Sequence, residues 1–183
     1  MKLEKFTEKG REIIANAQNS AIREGHQQFL PVHVLSELLP EVTNLITEAG
    51  GNPNAAVAAA KSELAKIPKI TGGNGGIYLS TDLARFFDEA EKLAEKTGDK
   101  FITIERMLQT FALTSPILKN AGLTPQKLEE AIKNMRGGKV ADSPNAEDSY
   151  EALKKYTKDF TDAAKKGKLE PVIGRDEEIR RTI

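Results

Sequence analysis

The chain has 183 residues, 39% hydrophobic and 30% charged, and its 27 basic and 27 acidic side chains leave no formal net charge. That composition suits a folded, well-solvated protein, and the zero balance argues against a dedicated nucleic-acid binder, which carries a basic surplus. The absence of cysteine excludes disulfides and thiolate metal sites, and no apolar run approaches the roughly 20 residues that span a bilayer.

Met1-Lys2-Leu3-Glu4-Lys5-Phe6 mixes charges and lacks the apolar core of a secretory signal, so a soluble cytoplasmic protein is expected. Strong helix formers then dominate. Ile13, Ile14, Ala17, Ala21 and Ile22 form a helical stripe behind Thr7, whose hydroxyl suits an N-cap, and Gly25 ends it. Pro31 opens a second helix carrying Val34, Leu35, Leu38 and Leu39. A short third helix holds Val42, Leu45 and Ile46 and stops at Ala49-Gly50. Asn52-Pro53 reads as cap plus first-turn proline of a fourth helix, which runs to about Lys66.

Gly72-Gly73-Asn74-Gly75-Gly76 then breaks the pattern, and the pattern restarts. Ser80 stands where Thr7 stood, Phe86-Phe87 where Ile13-Ile14 stood, and Ala90, Ala94 and Gly98 where Ala17, Ala21 and Gly25 stood. Ile102 and Leu108 answer Phe29 and Leu35, and Ala121-Gly122-Leu123-Thr124-Pro125 repeats the device of Ala49 to Pro53. The expected fold is all-α: two four-helix repeats related by a pseudo-twofold axis, each too small to bury its own apolar faces.

Gly137-Gly138 ends the last of these helices. The polar stretch to Ser149, with Pro144, reads as a flexible linker over residues 137–149. A ninth helix is expected from about Tyr150 to Lys166, then an extended Leu169 to Arg175, then a further helix from Asp176 that reaches the chain end with nothing to pack on.

No catalytic constellation emerges. His26 and His33 lack the spacing of a helical zinc pair, and a structural hydrogen bond at a helix start suits His33 better. The carboxylates lie among lysines as on solvated helix faces, no Gly-x-Ser-x-Gly elbow is present, and the glycine run lacks a phosphate-loop lysine. Neither a metal nor a cofactor is expected within these residues.

The run Gly167-Lys168-Leu169-Glu170-Pro171-Val172-Ile173-Gly174-Arg175-Asp176-Glu177-Glu178-Ile179-Arg180-Arg181, preceded by Leu153 to Tyr156 and Phe160-Thr161, resembles the entry into the first AAA+ ATPase domain of the Clp unfoldases. Phe6-Thr7, Pro31-Val32-His33 and Gly98-Asp99-Lys100-Phe101-Ile102 resemble the duplicated Clp N-terminal domain. Met135-Arg136-Gly137-Gly138 and Glu147-Asp148 are closer to the ClpB-type disaggregases than to their proteolytic cousins.

The resemblance implies three parts. Residues 1–136 would be an N-terminal domain that meets unfolded or aggregated polypeptide, 137–149 a linker, and 150–183 the start of a truncated ATPase domain. The longer protein would be a homohexameric ring using ATP and magnesium and working with a DnaK-type chaperone system, while these residues alone would be monomeric. Val172, Ile173, Gly174 and Arg175 would lie along the adenine. Thr7, Asp99 and Glu105 match polar positions associated with substrate engagement. By its own chemistry Thr7 serves as an N-cap and Glu105 suits the dipole in the first turn of its helix, so a structural role fits these three positions as well as a functional one. Ile14 and Phe87, equivalent in the two repeats, suit either a shallow apolar groove or the core. Arg106 stands where the family often has an apolar residue or histidine, which leaves open the width of any such groove at this point. Two other readings stay open: the adaptor-docking domain of a ClpA- or ClpC-like proteolytic unfoldase, and a small enzyme with an unrecognised site.

Overall fold

A computed structural model describes residues 3–70 and 77–148. The chain divides into two units, Met1–Glu147 and Asp148–Ile183, and the first carries the helical fold. The glycine run, the ninth helix, the extended 169–175 segment and the final helix expected from sequence lie outside the described residues.

Among the described residues eight α-helices follow one another: α1 (Glu8–Arg23), α2 (Pro31–Leu38), α3 (Thr43–Glu48), α4 (Pro53–Ala65), α5 (Thr81–Lys96), α6 (Ile104–Thr114), α7 (Pro116–Asn120) and α8 (Pro125–Arg136). Most of the starts have a local cause. Thr7 accepts from the Gly10 N–H, Ser80 from Leu83, Asn52 from Ala55 and Thr124 from Lys127, so otherwise orphan donors at four helix starts are satisfied by side-chain oxygens. Pro31, Pro53, Pro116 and Pro125 occupy first-turn positions where no N–H is needed. α1 and α5 are each 16 residues long, as the repeat requires.

The pseudo-twofold relation is written into the backbone. The short strands β1 (Gln28–Phe29) and β2 (Tyr78–Leu79) pair in parallel, with Phe29 opposite Leu79. Phe6 and Ile102 form an isolated parallel bridge. These are the same pairing with the repeats exchanged, since Phe6 is to Leu79 as Phe29 is to Ile102. The flanking bonds match as well, Thr7 N–H to the Ile102 carbonyl and Ser80 N–H to that of Phe29, each at about 3 Å. Each repeat therefore lends its leading segment to the other, and neither closes its own core.

The core runs through both halves. Ile14, Leu35, Leu38, Leu83, Leu108 and Leu128 are at most 1% exposed. Phe86 stacks on Phe111 at 4.1 Å, and Phe87 meets Phe6 edge-on at 5.6 Å. Ile22 departs from the expected stripe and is 48% exposed. One residue past Ala21, it has turned about 100° away from the buried face, to the place that Glu95 holds on α5.

The larger departure concerns residues 137–149, which composition marks as a flexible linker. The compact unit ends instead at Glu147. Gly137 and Gly138 both adopt left-handed φ, at 63° and 86°, and redirect the chain after α8. The segment beyond is tied down. The Ala141 N–H donates to Asp99 Oδ1, its carbonyl accepts from Lys100 and Phe101, and the Pro144 carbonyl accepts from Glu8. Ala141, Ala146 and Glu147 are buried. A polar sequence thus forms an ordered strap because its backbone groups find partners on distant parts of the fold.

Candidate functional site

The strap, the turn before α6, and the ends of α5 and α8 enclose a buried polar cluster. Gly98 supplies the left-handed turn (φ 84°) that places Asp99, whose side chain is fully buried. Asp99 Oδ2 accepts from Arg106 Nε at 3.1 Å, and Oδ1 accepts from Arg136 Nη1 at 2.9 Å and from the Ala141 N–H. Arg136 also donates through Nε to Glu105 Oε2 at 3.0 Å and through Nη2 to Thr103 Oγ1 at 3.0 Å. Arg106 Nη1 donates to Gln109 Oε1 and to Glu129 Oε1, at 2.7 and 2.8 Å. Two guanidinium groups thereby tie three carboxylates, and α6, α8 and the strap become one body.

The carboxyl groups respond to these surroundings. Burial pushes Asp99 upward, but the hydrogen bond from Arg136, that from Ala141, the Arg136 charge and the Arg106 bond outweigh it and hold its pKa below the usual value. Glu129 is lowered in the same way, burial being overcome by Gln109, Arg106 and Lys133. Glu147 goes the other way. Burial dominates, the neighbouring charge of Glu105 adds to it, and the bonds from Thr7 and the Ile104 N–H recover only part, so its pKa is raised.

The equivalent bracket in the first repeat is built from two histidines. His26 and His33 occupy the places of Asp99 and Arg106, and His26 Nδ1 lies 2.8 Å from His33 Nε2. His33 Nδ1 accepts from the Leu30 N–H, so its proton sits on Nε2 and is donated to His26. Burial, then the neighbouring His26, lower the His33 pKa to about 4. His33 is thus a hydrogen-bonding residue in the first turn of its helix, as its sequence position implies.

Over the Arg106–Arg136 side of the cluster lies a cleft of about 730 Å3 between α5, α6, α8 and the strap. Leu93, Leu113 and Val140 contribute apolar surface, Leu113 being 56% and Val140 49% exposed. A smaller cleft of about 230 Å3 is bordered by Phe6, Leu79, Phe87 and Ile102. No group of three or more metal-binding side chains occurs among the described residues, and no described helix is long and apolar enough to cross a membrane.

Of the residues singled out from sequence, Asp99 and Glu105 come together through Arg136. Thr7 stands beside them through Glu147, which accepts from both the Thr7 hydroxyl and the Ile104 N–H. Phe87, 8% exposed, borders the smaller cleft, whereas Ile14, 1% exposed, lines neither. Val172, Ile173, Gly174 and Arg175 lie outside the described residues. Sequence reasoning did not reach Arg136 and Glu147 as functional candidates, although both stand in stretches that carried the family resemblance. It missed Glu129 and the walls of the larger cleft altogether.

Residues 5–114 match the model of the family described as "Clp repeat (R) N-terminal domain". The whole chain is 50% identical to the chaperone protein ClpB of Rhizobium meliloti and 51% to that of Rhodopseudomonas palustris, covering 22% of each. It therefore spans less than a quarter of the length of these relatives. The Hsp104 N-terminal domain from Candida albicans superposes with a TM-score of 0.67 at 23% identity, over 77% of this chain and 97% of that one. The same duplicated helical fold is present in both. With its two exchanged repeats and a family match over most of the compact unit, this chain belongs to the Clp repeat N-terminal domain family.

Proposed function

We propose that the domain is the polypeptide-engaging N-terminal module of a ClpB-type protein disaggregase. It binds exposed apolar segments of unfolded or aggregated proteins and hands them to an ATP-driven ring formed by the longer protein. The observation that carries this reading is the cleft of about 730 Å3, whose exposed Leu113 and Val140 stand on a rigid, internally paired floor. Large apolar side chains that remain exposed beside a well-braced polar cluster mark a surface for another chain. In this reading Asp99 and Glu105 are positioning residues that hold the floor, and Thr7 holds the strap. Phe87 adds a second, smaller apolar contact.

Binding is weak by design. Two or three client side chains buried there contribute about 1.5–3 kcal/mol each, and lost motional freedom offsets much of it. Dissociation constants of roughly micromolar to millimolar follow. Hydrolysis of ATP, magnesium, hexamer formation and cooperation with a DnaK-type system belong to the longer protein. The working location is the cytoplasm.

The test is titration of the chain with a permanently unfolded client, observed by NMR, beside a Leu113→Ser, Val140→Ser variant. Client shifts centred on α5, α6 and α8, weakened in a variant that melts as the parent does, are the expected result. Shifts confined to the surface around Phe87 would move the site to the smaller cleft. No binding by either protein would remove the function.

A further inference from the structure

The larger cleft has a charge pattern as well as an apolar wall. Lys96, Lys133 and Lys139 line it, are exposed, and form no ion pair among the described residues. The carboxylate on the same lining is Glu129, which is hydrogen-bonded by Arg106 and Gln109 and also faces the Lys133 charge without a direct ion pair. Arg106 itself, 4% exposed, uses Nε and Nη1 for Asp99, Gln109 and Glu129, which leaves Nη2 without a hydrogen bond among the described residues.

Magnitudes decide the sign that an incoming segment meets. The cluster beneath holds one carboxylate more than it holds guanidinium groups, but those carboxylates are hydrogen-bonded inside the fold. The C-termini of α5 and α8 add roughly half a negative charge each. Three solvent-facing ammonium groups exceed these contributions at the mouth. The chain as a whole has no net charge, so the excess is a property of this surface and not of the composition.

We infer that the cleft selects apolar segments flanked by acidic residues, with Lys96, Lys133 and Lys139 as the specificity-determining residues. This rests on the cleft being the client site. Apolar side chains settle on Leu93, Leu113 and Val140 while flanking aspartates or glutamates meet the lysine rim. The complementarity acts chiefly on discrimination and on the rate of encounter. Segments flanked by lysine are disfavoured by the same rim.

The experiment uses the full chain and three labelled peptides sharing one Leu-Phe-Leu core, flanked by aspartate, serine or lysine. Fluorescence anisotropy at low salt is expected to rank them aspartate, serine, lysine, with about tenfold between the extremes. The spread should shrink severalfold at 0.5 M salt. In a Lys96→Gln, Lys133→Gln, Lys139→Gln variant with unchanged melting temperature, the preference should collapse to within about twofold while serine-flanked affinity stays the same. Equal binding of all three peptides, or a preference that survives in the variant, overturns the charge selection and leaves the apolar site standing. Failure of every peptide to bind, including the serine-flanked one, overturns the site and the selection together.

Discussion

Thr7 and Glu147, 140 positions apart in sequence, share a hydrogen bond that closes the domain: the Thr7 hydroxyl donates to Glu147 Oε2 while its oxygen caps α1 by accepting from Gly10. The same Glu147 oxygen accepts from the Ile104 N–H at 3.0 Å and so caps α6 from outside the helix. One carboxyl group thereby joins the starts of α1 and α6, one helix from each repeat, to the end of the strap. Glu147→Ala should cost about 1–3 kcal/mol by leaving a buried hydroxyl and N–H unsatisfied. It should also open Lys139 to early tryptic cutting. A wild-type core that is trimmed rapidly back to Arg136 would show that the strap is not held.

The same site gives a pH dependence with a defined sign. Because the Glu147 pKa is raised in the fold, its contribution is fully present below the ordinary carboxyl value near 4.5 and is lost as pH rises through the folded value. Glu147→Gln keeps an acceptor for Thr7 and Ile104 and carries no charge beside Glu105. It should therefore be at least as stable as the parent at pH 7 and lack that decline. Thermal melts of both proteins from pH 4 to pH 8 decide it, and a Gln variant less stable at pH 7 would refute the assignment.

The histidine bracket slopes the other way. Its His33 is held neutral, with a pKa lowered to about 4 from 6.5, so its contribution is complete above pH 6.5 and is lost as pH falls toward 4. His33→Gln, which can still accept from Leu30, should flatten the fall in melting temperature between pH 6.5 and pH 4.5, an effect of a few degrees in a domain of this size. An unchanged slope would place the acid sensitivity elsewhere.

Much of this architecture was legible from the sequence because its causes are local. Thr7, Ser80, Asn52 and Thr124 announce helix starts by their chemistry, and the repeat is visible because caps and apolar positions recur in order. Ile22 shows where pattern alone fails, since an isoleucine beside the stripe scores as apolar whichever way it turns. The strap and the cluster were illegible for another reason. What orders Ala141 and Glu147 is hydrogen bonding to Asp99, Thr7 and Ile104, more than 40 positions away in each case. Nothing in a polar, proline-containing stretch signals such partners. Asp99 and Glu105 were reached only through family resemblance, and Arg136 became meaningful once both were seen on it.

Asp99 is the residue on which the cluster depends most. Replacing it with alanine takes one carboxylate from each of two buried guanidinium groups, which keep Glu129 and Glu105, and leaves the Ala141 N–H without its acceptor; loss of one partner from a buried ion pair costs about 3–5 kcal/mol. The melting temperature should fall by on the order of 10 °C. Asp99→Asn keeps one acceptor and should fall by less. The Val140 side of the cleft should loosen with the strap, so hydrogen exchange at Ala141 is expected to speed up more than at Leu83 in the core. Uniform acceleration across both sites would mean that the change destabilises the whole domain without a local role in the cleft floor.

The seam between the repeats offers the sharpest steric test. Gly51 lies where α3 passes to α4, and a Cβ there would stand 2.7 Å from Leu123 Cγ, 2.8 Å from Leu123 Cδ2 and 3.1 Å from Ile46 Cγ2. Its backbone is not in the left-handed region, so the cost of Gly51→Ala is crowding and not dihedral strain. Leu123 is 1% exposed and Ile46 is fully buried, and neither can swing into solvent. Overpacking of this kind costs about 1–3 kcal/mol. Leu123→Ala alone opens a cavity and costs about 2–5 kcal/mol. Combined, the new methyl group occupies part of the vacated space, and the double variant should be more stable than the sum of the single losses by about 1 kcal/mol or more. Denaturant melts of all four proteins give the coupling directly. Strict additivity would mean that the two repeats do not meet at Gly51 and Leu123 as described, and with them the close approach that makes two half-domains fold as one.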